Sequence, residues 1–462
     1  MLDTWFSSSL LPLSNFGWPQ LQDSSDLAHY YPLSLMETGH DILFFWVARM
    51  VMMGHMVTGT IPFKEVMLHG IICDAQGRKM SKSIGNVVDP MHVINGASLK
   101  DLEDEMAQSV SNGSLSKKDY NKLVTSLKKD FPDGIPRCGT DALRFGLTWN
   151  DTSSGQIKLD VTRTMKTSSA FCNKIWQAAR FLLLARERKP EFQPTKIQPA
   201  SQHSQSFENQ WILSQCAHAV TDINQHWHNR DFHWMNRDIR QFLYFCLCDV
   251  YLESVKRVLN EPQQPEFDDT LQTLYICLTT GLRLLHPLMP FVTEELYQRI
   301  NAAFDVTCSS ISIEAYPTPN EWRSWRQPRI DAAMQTCQVA IDAARSTKVL
   351  YSMSRRNLPE MILEANSHEI EQSLRDNSSL IEALVPCGKV CVTSAVTQQG
   401  YDLTKWSKQI LPNFSLHLQL EGQVDVHSEA QRLSKRLSKL EATRVKLQTK
   451  LEKSERPEDR SK

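Results

Sequence analysis

The sequence predicts a multidomain chain. A partial doubly wound α/β layer comes first, then a mainly α-helical bundle, a small α+β module and a C-terminal coiled-coil helix. Three observations carry this. A strand–helix–strand pattern before residue 75 runs into the lysine-bearing loop Gly77–Asn86. Between residues 161 and 300, long segments place apolar residues at three- and four-residue spacing. From Ser428 onward, leucines recur at heptad spacing.

The bulk numbers fit that plan. A chain of 462 residues suggests about three domains. Hydrophobic content of 41% and charged content of 22% are ordinary for a globular protein. The net charge of −1 excludes a polycation, so contact with nucleic acid must come from local basic faces. The 11 cysteines are scattered, and the close pairs Cys246-x-Cys248 and Cys387-x-x-x-Cys391 lack zinc-site spacing. Reduced thiols and no structural metal are expected. The apolar run Ile42–Met53 contains Arg49 and reads as too short to span a bilayer, so no membrane contact is expected. No signal or transit peptide pattern is visible, and Met1-Leu-Asp-Thr reads like mid-domain sequence.

Each element follows from its pattern. Pro32–Glu37 alternates and reads as a strand, and Asp41–Met53 as a helix apolar almost all round, hence buried. Val66–Ile72 reads as the next strand, closing a βαβ unit within a first domain of residues 1–94. Residues 95–137 are polar and Ser-rich, an exposed helical insertion ended by the turn Pro132-Asp-Gly-Ile-Pro136. A connector, 138–165, starts a helix capped by Thr140 or Asp141. Segments such as Phe171–Leu184, Phe242–Val255 and Leu271–Leu285 build a bundle over 166–325, with Lys189–Ser206 as a loop. Residues 326–424 hold the helix Asp331–Ser346 and the β-like runs Glu360–Glu364, Lys389–Thr393 and Phe414–Leu420. Residues 425–462 form the leucine helix, with Leu433, Leu437, Leu440, Leu447 and Leu451, a break at Arg444 and an excess of basic residues.

Chemistry concentrates in the first domain. Lys79 and Lys82 are point charges on a loop at a strand end, where they can neutralise a polyphosphate as charge builds in a transition state. Gly77 and Gly85 would be hinges. The bland alternative is a solvated basic turn or a phosphorylation site, which the preceding strand disfavours. The loop is not Gly-x-x-x-x-Gly-Lys-Ser/Thr. Gly39-x-Asp41 offers a carboxylate to ribose hydroxyls, or simply a turn in which Asp41 caps a helix. Trp5 and Trp46 can wall a small aliphatic ligand, or serve as core aromatics. The basic C-terminal helix can track phosphates, or present a solvated coiled-coil face.

Seven stretches together resemble the class I aminoacyl-tRNA synthetases, and within them the eukaryotic-type valyl-tRNA synthetases. They are Leu2-Asp-Thr-Trp-Phe-Ser-Ser8, Thr38–Met50, Gly77–Pro90, Cys138-Gly-Thr-Asp-Ala-Leu-Arg-Phe145, Phe171–Trp176, Cys248–Glu253 and Leu282–Leu296, in the family's order across nearly the whole chain. The resemblance implies a Rossmann-like catalytic domain that makes valyl-adenylate from ATP, with Mg2+, and transfers valine to tRNA(Val). It assigns Lys79 and Lys82 to catalysis. Gly39, Asp41, His69, Lys79, Met80, Ser81, Lys82 and Ser83 would bind ATP, and Trp5 and Trp46 would line the valine pocket. The bundle would bind the anticodon region, and Arg432, Lys435, Arg436 and Lys439 would contact tRNA. It implies a monomer in cytoplasm or mitochondrion.

Two family features have no counterpart among the 462 residues: the His-x-Gly-His signature and the editing domain. The expectation is a chain inactive on its own, with an unstable N-terminal layer; the alternative is a non-catalytic tRNA-binding fragment or isoform.

Overall fold

The computed structural model describes residues 2–19, 25–74, 77–80, 86–113, 116–195, 206–354, 356–395 and 401–454. The chain divides into two compact units. One comprises Met1–Ser201, Gln215–Asp249 and Leu259–Arg326; the other comprises Gln202–Ser214, Val250–Val258 and Gln327–Lys462. The described chain is mostly helical.

After helices Thr4–Ser14 and Ser25–Tyr30, the first unit forms two short parallel ribbons. Strand β1 (Met36–Gly39) pairs with β2 (Val66–His69), and β3 (Ile71–Cys73) pairs with β4 (Gln156–Lys158). The expected strand at 32–37 therefore starts later, after a parallel bridge between Leu33 and Phe63. The expected strand at 66–72 is split at Gly70. A Cβ there would stand 1.8 Å from the Ser154 carbonyl oxygen, so only glycine lets the two backbones meet.

The helix after β1 departs from expectation more sharply. It runs His40–Ile42 as a 3-10 turn, Leu43–Val47 as a π-helical segment and Ala48–Thr58 as an α-helix. It is not buried: Phe44 is 75% exposed, Met52 67% and Met56 82%. The full stretch His40–Thr58 is 19 residues of mean hydropathy 1.3, long and apolar enough to cross a membrane by length and composition alone, with 11% of that window buried. The short apolar run read from sequence is thus part of a longer helix. Parallel strands are ordinarily covered on both faces, and this one-sided layer leaves an apolar surface open.

The insertion is more than a solvated appendage. Helix Leu99–Ser111 begins with a reciprocal capping box between Ser98 and Asp101. With helix Lys117–Asp130 it sends Leu102 and Leu127 into a core shared with Val93, Ile135, Leu159 and Met165.

The connector helix Thr140–Leu147 explains two of the sequence stretches singled out above. Its N-cap is Gly139, with no side-chain cap, so neither Thr140 nor Asp141 caps it. Asp141 is turned instead to another helix, Pro290–Ala303, accepting hydrogen bonds from the Phe291 and Val292 amides at 3.2 and 2.7 Å. Those are first-turn donors with no intrahelical partner. Arg144 donates to the carbonyls of Pro287 and Leu288 at 3.0 and 3.2 Å, just beyond helix Phe267–Leu285. A carboxylate thus meets a helix N-terminus and a guanidinium the end of another, the pairing that helix dipoles favour. Phe145 stacks on Phe171 of helix Val161–Glu187, with ring centroids 5.0 Å apart.

In the second unit, β5 (Met361–Ala365), β6 (Val390–Thr393), β7 (Trp406–Ile410) and β8 (Phe414–Gln419) form a sheet ordered β6-β5-β8-β7. β5 and β6 are parallel, and the other two pairings are antiparallel. Helices Pro328–Leu350, His368–Asp376 and Ser378–Leu384 pack against it. Met361, Leu363, Leu416 and Leu418 are fully enclosed, and Ile362 and His417 between them are buried too, so both faces of the sheet are covered there. Strand β7 is an addition to the three runs seen in the sequence. Helix Val426–Ser454 follows. Leu437, Leu440 and Leu447 are more than half exposed, so the heptad seam has no covering helix among the described residues.

Candidate active site

The parallel register of β1 and β2 sets Gly39 beside His69, so both strands end together. Asp41 lies two residues past Gly39, in the 3-10 turn. Lys79, far along the chain, reaches back so that its Nζ lies 3.0 Å from Asp41 Oδ2. The hydrogen bond from Lys79 holds the Asp41 carboxyl below the usual carboxylate range. This pair is exposed, so its net worth to folding is small and its charges are open to a ligand.

His69 fills the adjoining position. Its Nε2 is 2.7 Å from Glu37 Oε1, and its Nδ1 donates to the Gly70 carbonyl at 2.8 Å. His40 Nδ1 lies 3.4 Å from the His69 carbonyl. Glu37 and His69 line a cavity of about 270 Å³ together with Met67, Ile72, Asn150 and Phe232. A mostly apolar hollow with a few polar groups at its rim is a ready small-molecule site.

The base of the lysine loop is clamped by residues the sequence reading did not single out. Asp74, beyond β3, accepts from the Arg78 amide at 2.8 Å, from Arg78 Nε at 2.7 Å and from Asn86 Nδ2 at 3.1 Å. Asn86 also donates to the Lys79 carbonyl at 3.2 Å. Burial works to raise the Asp74 pKa, but these hydrogen bonds outweigh it and the carboxyl lies below its ordinary value. The signal was present: an acidic residue closing a strand four positions before an arginine is a turn former. Gly77 has φ +82°, and a Cβ there would stand 3.0 Å from Lys158 Cε. Met80 donates its amide to the Ile72 carbonyl at 3.3 Å. Ser81, Lys82 and Ser83 lie outside the described residues.

Trp5 lies in helix Thr4–Ser14 and Trp46 in the π-helical segment, both half-buried. The Arg49 guanidinium sits 5.0 Å from the centre of the Trp5 ring. No ring contact joins Trp5 and Trp46 among the described residues. On the C-terminal helix, Arg432 bonds to Glu429 and to the Leu350 carbonyl, so part of its charge is used internally. Lys435, Arg436 and Lys439 are exposed.

Parallel strand ends, a cationic loop and a helical bundle define a class of protein that comparison confirms. Residues 1–160 match the family described as tRNA synthetases class I (I, L, M and V), and residues 209–363 match the anticodon-binding domain of tRNA ligase. The chain thus carries a fragment of the class I synthetase catalytic domain and an anticodon-binding domain.

The relatives it matches are valine–tRNA ligases. The Homo sapiens protein is 43% identical over 450 residues and the Mus musculus protein 42%, each match covering 97% of this chain and 34% of the relative. The mitochondrial valine–tRNA ligase of Macaca mulatta is 38% identical, with 40% of its length covered. The chain therefore spans about a third of the length of the first of these relatives. Among solved structures, a ternary complex of Agrobacterium radiobacter LeuRS with tRNA and LeuAMS covers 83% of this chain and 36% of that one, at 16% identity and TM-score 0.43.

Proposed function

We propose that this chain supplies one part of a valine–tRNA ligase: the lysine-loop side of the valyl-adenylate site and the surfaces that hold tRNA(Val). The observation that carries the reading is Lys79 reaching Asp41 across the paired ends of β1 and β2. That pairing sets a ribose-type acceptor beside a phosphate-type cation. On this reading Asp41 and Gly39 hold the ribose, with His69 and the loop residues Lys79, Met80, Ser81 and Ser83 beside the nucleotide. Lys82 neutralises the triphosphate as pyrophosphate departs. Mg2+ would travel with ATP on its phosphates. Asp74 and Asn86 hold the loop base. Trp5 and Trp46 wall the amino acid, with Arg49 fixing Trp5.

The domain plan proposed is 1–94 for the catalytic half, 95–137 for the insertion and 138–165 for the connector. Residues 166–325 form the anticodon-binding bundle, 326–424 the α+β module and 425–462 a coiled-coil arm for tRNA. The exposed apolar side of His40–Thr58 is where the rest of a doubly wound layer would pack, which favours this reading over a membrane span. The working compartment is cytoplasm or mitochondrion, since relatives include mitochondrial proteins.

The test is valine-dependent exchange of pyrophosphate into ATP, measured on these 462 residues and on the longest reading frame containing them. The 462 residues lack His-x-Gly-His. They are expected to give negligible exchange, while the longer product is active and loses about 100-fold or more with K82A. Full activity of K82A in the longer product would contradict the assignment.

A further inference from the structure

The geometry points to a stacking platform for unpaired nucleotides of tRNA, built where the end of the connector helix meets helix Phe232–Arg240. It rests on the proposed tRNA-binding role and gives it a location, entirely within the first unit. Two indoles anchor it. Arg237 lies 4.0 Å from the centre of the Trp234 ring, and Arg240 lies 5.1 Å from that of Trp149. Trp234 is 40% exposed and Trp149 38%, although each ring could bury far more of its apolar surface.

The platform is held rigidly. Asn236, fully buried, donates to the Phe145 carbonyl at 2.8 Å and to Thr148 Oγ1 at 3.0 Å, which ties the connector end to this helix. The rings of His226 and His233 lie 6.4 and 5.0 Å from that of Trp234.

The electrostatics select the occupant. Asp238 is taken up by His226 Nε2 at 3.1 Å and by Arg237 at 2.9 Å. Three buried nitrogens, His226 Nδ1, His233 Nδ1 and Arg240 Nε, have no hydrogen-bond partner among the described residues; the Asp151 carboxylate stands 3.9 Å from the second. Arg240 makes no ion pair among the described residues. Exposed π-faces bordered by guanidinium groups suit single-stranded nucleic acid, which supplies bases to stack and phosphate oxygens to accept. An apolar protein face would offer the Arg240 guanidinium no acceptor.

The experiment titrates purified tRNA against the full 462-residue chain across a salt series, for wild type, W234A, W149A and R240Q. Each tryptophan variant is expected to weaken binding by about tenfold, with the salt dependence unchanged, because stacking is not a charge interaction. R240Q is expected to lower the slope of log affinity against log salt by about one, one phosphate contact. Circular dichroism and a thermal melt establish that the variants fold. Wild-type binding with both tryptophan variants within twofold would overturn the platform while leaving the tRNA reading intact. No binding by the wild type would overturn both.

Discussion

Replacing Asp141 with alanine tests how the connector is locked to the bundle. Asp141 is 9% exposed and is the acceptor for the Phe291 and Val292 amides. Met289, at the N-cap of that helix, offers no side-chain hydrogen bond. D141A therefore leaves two first-turn donors without a partner. Loss of a cap costs about 0.5–2 kcal/mol, and hydrogen bonds to a charged group contribute about 1.5–3 kcal/mol. We expect D141A to destabilise the first unit by about 2–4 kcal/mol. D141N keeps one oxygen and loses the charge facing the helix dipole, so about 1–2 kcal/mol is expected. Urea unfolding reads this out: at an m-value of about 2 kcal/mol/M, D141A moves the midpoint of the first unit down by about 1–2 M. R144A should cost less, and the double variant less than the sum, because both residues hold the same turn between helices. A D141A change within about 0.5 kcal/mol, the range of an ordinary surface substitution, would refute the clamp.

Two further outcomes follow from the same region and from the strand crossing. His286 bonds Thr293 Oγ1 through Nδ1 at 2.7 Å and Ser312 Oγ through Nε2 at 3.0 Å, and burial lowers its pKa. Its folded pKa lies below the unfolded one, so stability is present above about pH 6.5 and falls as pH drops below that value. H286Q should flatten this part of the stability–pH curve, and an unchanged curve would count against His286 as its source. G70A places a methyl against the Ser154 carbonyl, so β3 and β4 cannot keep their register. A loss of several degrees in melting temperature is expected, and a wild-type melt would contradict the crossing.

Much of the architecture was legible because it depends on local pattern. Helical spacing located Val161–Glu187 and Phe267–Leu285, a short β-like run located β5, and alternation located β8. Asp41 and Lys79 were named from strand-end chemistry, and they form an ion pair, with Lys79 held beyond β3 by its bridge to Cys73. What was misread depends on distant partners. Asp141 looked like the cap of its own helix, yet it serves a helix about 150 residues away in sequence. An all-apolar helix reads as buried when a second layer covers it; Phe44 and Met56 show that no described element does so. Asp74 and Asn86 went unnoticed because their role lies in closing the loop rather than in reacting groups.

On the proposed function, these residues form the tRNA-holding part of a valine–tRNA ligase. Its most direct test is competitive binding of the 462-residue chain to tRNA(Val) against an equal excess of another tRNA at fixed salt. The account predicts saturable binding with a clear preference for tRNA(Val). Equal affinity for both, or no binding to either, would contradict it.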